Sequence, residues 1–435
     1  MWSANVAQGK ELSISGISAT NLAKEFGTPA FIMDEADFRA RAKAWDEALK
    51  NSFGASAGTV YYAAKAFICT EVARWVKDIG IGIDVCTGGE LAVALAGGIN
   101  PTMIQLHGNN KSVSEIEKAI KAGVETIVID SLIEIERVAL AAKKIGKVQR
   151  VLLRLTPGIE AHTHESIATA HEDVKFGFSI ASGMAWKSIE AVRNHESLEL
   201  RGFHAHIGSQ ILDTSSFEIS AQRLIALLAK YRDAFNSQLP ELDLGGGYGI
   251  HYLPGDEELS PVVAMAALAS AVKANCILHN LDLPRVSIEP GRAIVGPTMF
   301  TLYEVGTIKD VTLESGDNRR YISIDGGMSD NIRPALYEAE YTAVLANRAS
   351  NAELISSRLV GKHCETGDIL IRDIALASDI AVGDLLATPA TGAYGRSMAS
   401  NYNHVPRPPV IAVNDGKARV IVRRETEADL LGLDI

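Results

Sequence analysis

The chain has 435 residues, 47% of them hydrophobic and 22% charged, with a net charge of −11. That length exceeds one ordinary core and implies two domains, and the composition is that of a globular protein rather than a disordered or fibrous one. The acidic balance argues against a general nucleic-acid or anionic-membrane binder, because both need a cationic surface, but a few pocket arginines suffice for a small anionic substrate.

The N-terminal stretch "MWSANVAQGKELS" lacks an apolar targeting segment, and no run of about 18 apolar residues is evident. Cys69, Cys86, Cys276 and Cys364 are scattered and form no C-x-x-C pair. That spacing fits a reducing compartment and offers neither a disulfide framework nor a structural zinc site. The expectation is a cytoplasmic protein with no membrane and no nucleic-acid partner.

From about residue 60 to 292, short β-branched runs end in Gly, Asn, Asp or His and are followed by helical stretches. The runs are "TVYYAAK", "GIDVC", "MIQLHGNN", "TIVIDS", "RVLLRLTPG", "LRGFHAHIGS", "ELDLGGG" and "VSIEPGR". Each reads as a buried parallel strand. The first four ends, Lys65, Cys86, Gly108 and Ser131, are spaced 21, 22 and 23 residues apart, one βα unit each. Thr87 with Glu90, Ser112 with Glu115 and Ser131 with Glu134 each predict a capping box opening the next helix. Eight such units close most simply into a (β/α)8 TIM barrel; a doubly wound open sheet is the alternative. A barrel places chemistry at the C-terminal strand ends. Those ends carry Lys65, Asp84, His107, Arg154, His206, Gly245, Gly246, Gly247, Glu289 and Arg292.

Beyond about residue 295, strands and turns dominate, and Asp415-Gly416 between "VIAV" and "ARVIV" predicts a hairpin. The expected division is a barrel over residues 30–294 and a β-rich, sandwich- or barrel-like domain from residues 1–29 and 295–435, an α/β plus β fold.

Each candidate site has a plain structural reading beside the chemical one. Lys65 in "YYAAKAF" is either a snorkelling strand-end lysine or a desolvated amine nucleophile. The glycines of "LDLGGGYGI" make a tight turn or cradle a phosphate with bare amides; the spacing of Gly245, Gly247 and Gly249 is not that of a dinucleotide fingerprint. In "SIEPGR", Glu289 and Arg292 form an internal ion pair, or contact a ligand's ring nitrogen and an anion. His204 and His206 lie two apart on one strand and predict one face; a metal pair and an imidazole flat on an aromatic cofactor are both open. Residues 158–179, with His162, His164 and His171, read as a lid or specificity loop rather than a metal site. Arg333, Tyr337 and Tyr394 sit in Gly/Ser/Asn-rich segments that suit binding better than core formation. Cys364 and Glu365 in "GKHCETGDIL" stay open between a buried thiol and chemistry.

Together "YYAAKAF", "HIGSQI", "LDLGGGYG", "EPGR", "DGGMSDNIRPALY", "CETGDIL" and "GAYGRSMASNYN" resemble the pyridoxal-phosphate decarboxylases of the alanine-racemase-like barrel type, closest to the branch acting on diaminopimelate. The resemblance spans nearly the whole chain in order. It implies pyridoxal 5'-phosphate as cofactor, no metal, and a homodimer with shared active sites. It implies decarboxylation of meso-2,6-diaminopimelate to L-lysine, the last step of lysine biosynthesis by that route.

By the same resemblance Lys65 holds the cofactor covalently and His206 stacks on its ring. Asp84, Ser209, Gly245, Gly246, Gly247, Pro290, Gly291 and Arg292 surround it, and Glu289 pairs with the ring nitrogen. Arg292, Arg333, Tyr337 and Tyr394 bind substrate carboxylates, with Tyr394 also near the cofactor phosphate. Cys364 and Glu365 enter from the neighbouring subunit, as proton donor and as partner of the distal amine. Ala205 stands where relatives often carry cysteine, and Cys86 occupies a variable spot. The alternatives are a decarboxylase of ornithine, lysine or arginine, a non-catalytic regulatory relative, and a cofactor-free aldolase-like barrel; the last needs neither Glu289 nor a stacking histidine.

Overall fold

The computed structural model describes residues 1–159 and 175–435. Of the expected lid over residues 158–179, only 158–159 and 175–179 are described, and there Phe178–Ser179 is a strand paired parallel with Leu155–Thr156 rather than loop; His162, His164 and His171 lie outside the described residues. The chain divides into two compact units.

One unit comprises Arg41–Gly249 and Glu258–Ala293. Its strands are Ala57–Ala63, Gly82–Val85, Ile104–Leu106, Thr126–Ile129, Gln149–Thr156, Leu198–His204, Glu241–Asp243 and Arg285–Ile288. All neighbours pair parallel, and Arg285–Ile288 pairs back onto Ala57–Ala63, so the barrel is closed. These are the eight runs expected from the sequence. Burial on both faces of a parallel strand selects such β-branched runs.

The helix starts are more varied than predicted. Ser112 forms a full capping box with Glu115 before Val113–Ala122. Thr87 accepts from the Glu90 amide at 3.2 Å, but the Glu90 carboxylate takes the Cys86 amide instead of the cap's own. Ser131 makes no side-chain cap at all. Its expected partner Glu134 turns inward to a buried Lys111, whose Nζ also donates to the Val128 and Gly108 carbonyls at 2.6 and 2.7 Å. A buried ammonium without its anion costs far more than a missing cap, so the ion pair wins.

The expectation of no long apolar run needs a correction. Helix Pro261–Leu278 has a mean hydropathy of 1.7 over 18 residues, long and apolar enough by composition to cross a membrane. Ala264, Met265, Leu268, Ala269, Val272 and Cys276 are nevertheless buried at helical spacing, and the helix packs on Ser215–Phe235. That is the stripe of an outer barrel helix.

The other unit comprises Met1–Ala40, Ile250–Glu257 and Ile294–Ile435. It differs from the expected division because Ala30–Asp34, five fully buried residues, is a strand of the β-rich sheet. It pairs antiparallel with Met299–Thr312 and parallel with Val410–Asn414. Its core joins Leu12, Ile14, Ile32, Phe300, Leu302, Leu385, Ile411 and Val413. Val410–Asn414 and Lys417–Val422 form the predicted hairpin, and Asp415 and Gly416 both have positive φ, 49° and 68°, as a two-residue turn of this hand requires.

Candidate active site

The barrel register sets the first layer of the site. Ala63 lies level with Asp84, and His204 lies level with Arg154 on one side and Asp243 on the other. Lys65 follows the first strand in a turn held by the Ala64 amide on the Asp84 carbonyl and the Ala66 amide on the Ala63 carbonyl, both 3.1 Å. It is half-buried and interacts electrostatically with Asp84 and His206.

Three carboxyls interact at this end of the barrel, and like charges this close cannot all ionise. Burial, then Glu289, pushes Asp84 well above the carboxylate range, while Lys65 opposes the shift. Asp84 Oδ2 is buried with no hydrogen-bond partner among the described residues. Burial, then Glu289, raises Asp243 as well, although its Oδ1 accepts the Gly245 amide at 2.9 Å. Burial would raise Glu289 too, but His107 and His204 hold it well below the usual range. The His107 imidazole is itself pulled down to about 4 by burial, against the attraction of Glu289. The direction that holds for the pair is an ionised Glu289 beside a largely neutral His107. Among the described residues, His107, His204 and Glu289 are also the one cluster with a metal-capable donor set. The His107 and His204 Nε2 atoms stand 3.0 and 3.2 Å from Glu289 Oε1 as ion-pair contacts, while the hydrogen bonds run between His204 Nε2 and Glu289 Oε2 at 3.3 Å and between His107 Nε2 and Gln105 Oε1 at 3.2 Å; Glu289 Oε1 itself has no hydrogen-bond partner among the described residues.

The sixth strand ends at His204, so strict alternation stops before His206 and the two rings have different partners. His206 Nδ1 accepts the Gly246 amide at 3.3 Å. Burial, then Lys65 and Arg154, keep its pKa well below the ordinary value. With the Gly245 amide on Asp243, two of the three amides expected at a phosphate are turned inward. The run is glycine for a further reason. A Cβ on Gly246 would lie 2.1 Å from the Glu289 carbonyl oxygen, and one on Gly247 2.4 Å from the Gly208 carbonyl oxygen. Arg292, buried, donates to Ser209 Oγ at 2.8 Å, and the Pro290 carbonyl accepts the Ala63 amide at 3.4 Å. A Cβ on Gly291 would meet that of Ala63 at 2.7 Å.

The remaining expected residues belong to the β-rich unit. Arg333 is buried, donates to Tyr341 Oη and lies over the Tyr252 ring at 4.8 Å. Tyr252 and Tyr341 meet edge-on at 5.4 Å. This aromatic clamp was not among the residues expected from sequence. Tyr337 ends the helix Arg333–Tyr337 and is half-buried. Tyr394 is held at φ 61°, a left-handed conformation costly for an aromatic residue and most often retained at functional sites.

Cys364 and Glu365 are exposed on a loop organised by Asp368. Asp368 Oδ2 accepts the His363 amide and His363 Nδ1, each at 2.8 Å, and Oδ1 accepts the Met328 amide at 2.6 Å. His363 is stacked on Tyr402, and the Cys364 amide donates to Asn403 Oδ1 at 3.0 Å. Asp368→Ala strands two buried donors of His363 and the half-buried Met328 amide at once, so it is expected to destabilise the protein by about 2–4 kcal/mol. Denaturant unfolding measures the loss. Alkylation of Cys364 should change rate in the same variant, and an unchanged rate would separate the loop's stability from the thiol's presentation.

Residues 35–296 match the family model for the pyridoxal-binding domain of pyridoxal-dependent decarboxylases. The diaminopimelate decarboxylase of Mycobacterium tuberculosis is 53% identical over 427 residues, covering 97% of this chain and 94% of the relative. This chain belongs to the diaminopimelate decarboxylases. The Bacillus subtilis member is 43% identical over 98% of this chain and 96% of its own. The crystal structure of the M. jannaschii member in co-complex with L-lysine superposes with a TM-score of 0.91 at 31% identity, covering 100% of this chain and 99% of that one.

Pyridoxal 5'-phosphate is the cofactor of this family, and the barrel residues fit it. They supply a half-buried amine at Lys65, an ionised buried carboxylate at Glu289 and a buried guanidinium at Arg292. Asp84 Oδ2 adds a buried oxygen still to be matched.

Proposed function

We infer that this chain decarboxylates meso-2,6-diaminopimelate to L-lysine and CO2, using pyridoxal 5'-phosphate, and is a carbon–carbon lyase completing lysine biosynthesis by this route. The observation that carries this reading is identity to diaminopimelate decarboxylases across nearly the whole chain. We propose further that it works in the cytoplasm as a homodimer with shared active sites.

In this reading Lys65 is the amine that holds the cofactor, and His206, neutral and braced by the Gly246 amide, lies against its ring. Ser209, Gly245, Gly246, Gly247, Pro290, Gly291, Arg292 and Tyr394 line the phosphate end, and Asp84 lies beside Lys65. Glu289 would accept a hydrogen bond from the cofactor's ring nitrogen and so favour its protonation. Pyridoxal 5'-phosphate held there would supply an electron sink for the pair left by departing CO2. Cys364 then delivers a proton from Sγ to that carbon, and a thiol is a competent general acid for this. Arg292, Arg333, Tyr337 and Tyr394 hold the carboxylates. Glu365 meets the distal ammonium, and Cys364 and Glu365 serve the neighbouring subunit's site.

The test is CO2 release from meso-diaminopimelate with L-ornithine, L-lysine and L-arginine as competitors. The protein should turn over diaminopimelate and none of the three efficiently. Arg333 separates the substrates, because its fork pairs with a carboxylate that the other diamines lack. Arg333→Ala should reduce kcat/KM for diaminopimelate by roughly 10- to 100-fold, the worth of a lost hydrogen bond to a charged group. Any residual rate on the other diamines should change much less; equal losses would count against a carboxylate-reading arginine.

A further inference from the structure

His107 and His204 were singled out by the sequence and have no role in the reading above. They come from different barrel strands. His204 ends Leu198–His204, and His107 follows Ile104–Leu106 with its amide on the Val85 carbonyl at 2.8 Å. Both rings are buried, stand edge to face with centroids 4.9 Å apart, and converge on Glu289 after the eighth strand.

We propose that His107 and His204 are positioning residues that hold the Glu289 carboxylate in one orientation, so that its remaining lone pairs meet the ring nitrogen of the cofactor. The proposal rests on the reading of Glu289 as the partner of that nitrogen.

The geometry decides which ring nitrogens carry hydrogen. His107 Nε2 lies 3.0 Å from Glu289 Oε1 and 3.2 Å from Gln105 Oε1. His204 Nε2 lies 3.2 and 3.3 Å from the two Glu289 oxygens. An ionised carboxylate only accepts, so His204 Nε2 donates to Glu289 Oε2, while His107 Nε2, hydrogen-bonded to Gln105 Oε1, lies at ion-pair distance from Oε1. His204 Nδ1 is buried with no hydrogen-bond partner among the described residues. A carboxylate hydrogen-bonded by His204 and flanked at ion-pair distance by His107 loses side-chain freedom before the ligand arrives, and such preorganisation favours binding. The same contacts explain why Glu289, rather than Asp84 or Asp243, carries the charge here.

The measurement is the affinity of the apoprotein for pyridoxal 5'-phosphate, with the absorbance of the reconstituted protein as a second readout. His107→Phe and His204→Phe should each weaken affinity about 10-fold or more, the cost of one charged hydrogen bond. His107→Gln and His204→Gln keep a side-chain N–H and should recover much of the loss, which also guards against misfolded Phe variants. In a Glu289→Gln background the Phe substitutions should add little, because the histidines act through Glu289. Wild-type affinity in both Phe variants overturns the proposal. So does an equal loss with and without Glu289, and so does stoichiometric zinc bound by these three side chains in the apoprotein. If Glu289→Gln alone leaves affinity and absorbance unchanged, the underlying reading of Glu289 fails instead.

Discussion

Lys65→Ala is expected to lower CO2 release from meso-diaminopimelate by at least about a thousandfold and to remove the covalent linkage that borohydride traps on the wild-type protein. The backbone around Lys65 is fixed from three sides. The Ala64 amide is tied to Asp84, the Ala66 amide to Ala63, and Gly291 approaches so closely that an added Cβ would lie 2.7 Å from the Ala63 Cβ and 3.2 Å from that of Ala66. Deleting the side chain therefore removes an amine without disturbing the fold, and melting temperature should change little. Lys65→Arg makes the sharper variant. It keeps the positive charge facing Asp84 and His206, but a guanidinium cannot shed a proton to become a nucleophile. If Lys65 acted only as a charge, Lys65→Arg would retain activity. The expected result is a protein as inactive as Lys65→Ala and lacking the visible-edge absorbance of the wild type. A colourless protein with wild-type turnover would refute the role of the amine.

The barrel was legible because its signal is local. A strand buried on both faces must be apolar throughout, and its polar terminator marks the mouth, so "TIVIDS" and "RVLLRLTPG" announce both element and site. Local signals failed where a distant partner offered more. The Ser131 cap gave way to the Lys111–Glu134 ion pair, which no capping pattern encodes. The strand Ala30–Asp34 was not read from the sequence: its partners in Met299–Thr312 and Val410–Asn414 are hundreds of residues away, so the boundary fell near residue 40 rather than 30.

The site divides in the same way. Lys65, His206, Glu289 and Arg292 were visible as polar residues at strand ends. The convergence of His107 and His204 on Glu289 was not, because it depends on the register of a closed barrel. The aromatic clamp on Arg333 draws Tyr252 from the segment Ile250–Glu257, which follows the glycine run and belongs to the β-rich unit. A tyrosine there carries no sequence signal for that role.

Cys364→Ala is expected to lower turnover by about 10²- to 10⁴-fold, the usual worth of a positioned general acid. Cofactor absorbance should be unchanged, since Cys364 is proposed to move a proton and not to hold the ring. Cys364 is exposed, on a loop whose hydrogen bonds to Asp368 and Asn403 use backbone and imidazole donors. An exposed thiol on so firmly held a loop is the arrangement expected if a second subunit covers it. Subunit mixing tests that ownership. In the proposed homodimer with shared sites, Lys65→Ala and Cys364→Ala dimers would each be inactive, but a hybrid would place both defects in one site and leave the other intact. In a closed two-fold dimer, random exchange makes half the dimers hybrid, so recovery should approach about a quarter of wild-type activity. If each chain instead used its own Cys364, every hybrid site would carry one defect and nothing would return. The mixture therefore reads out which chain owns the proton donor, and no recovery after verified exchange would place Cys364 in its own subunit's site.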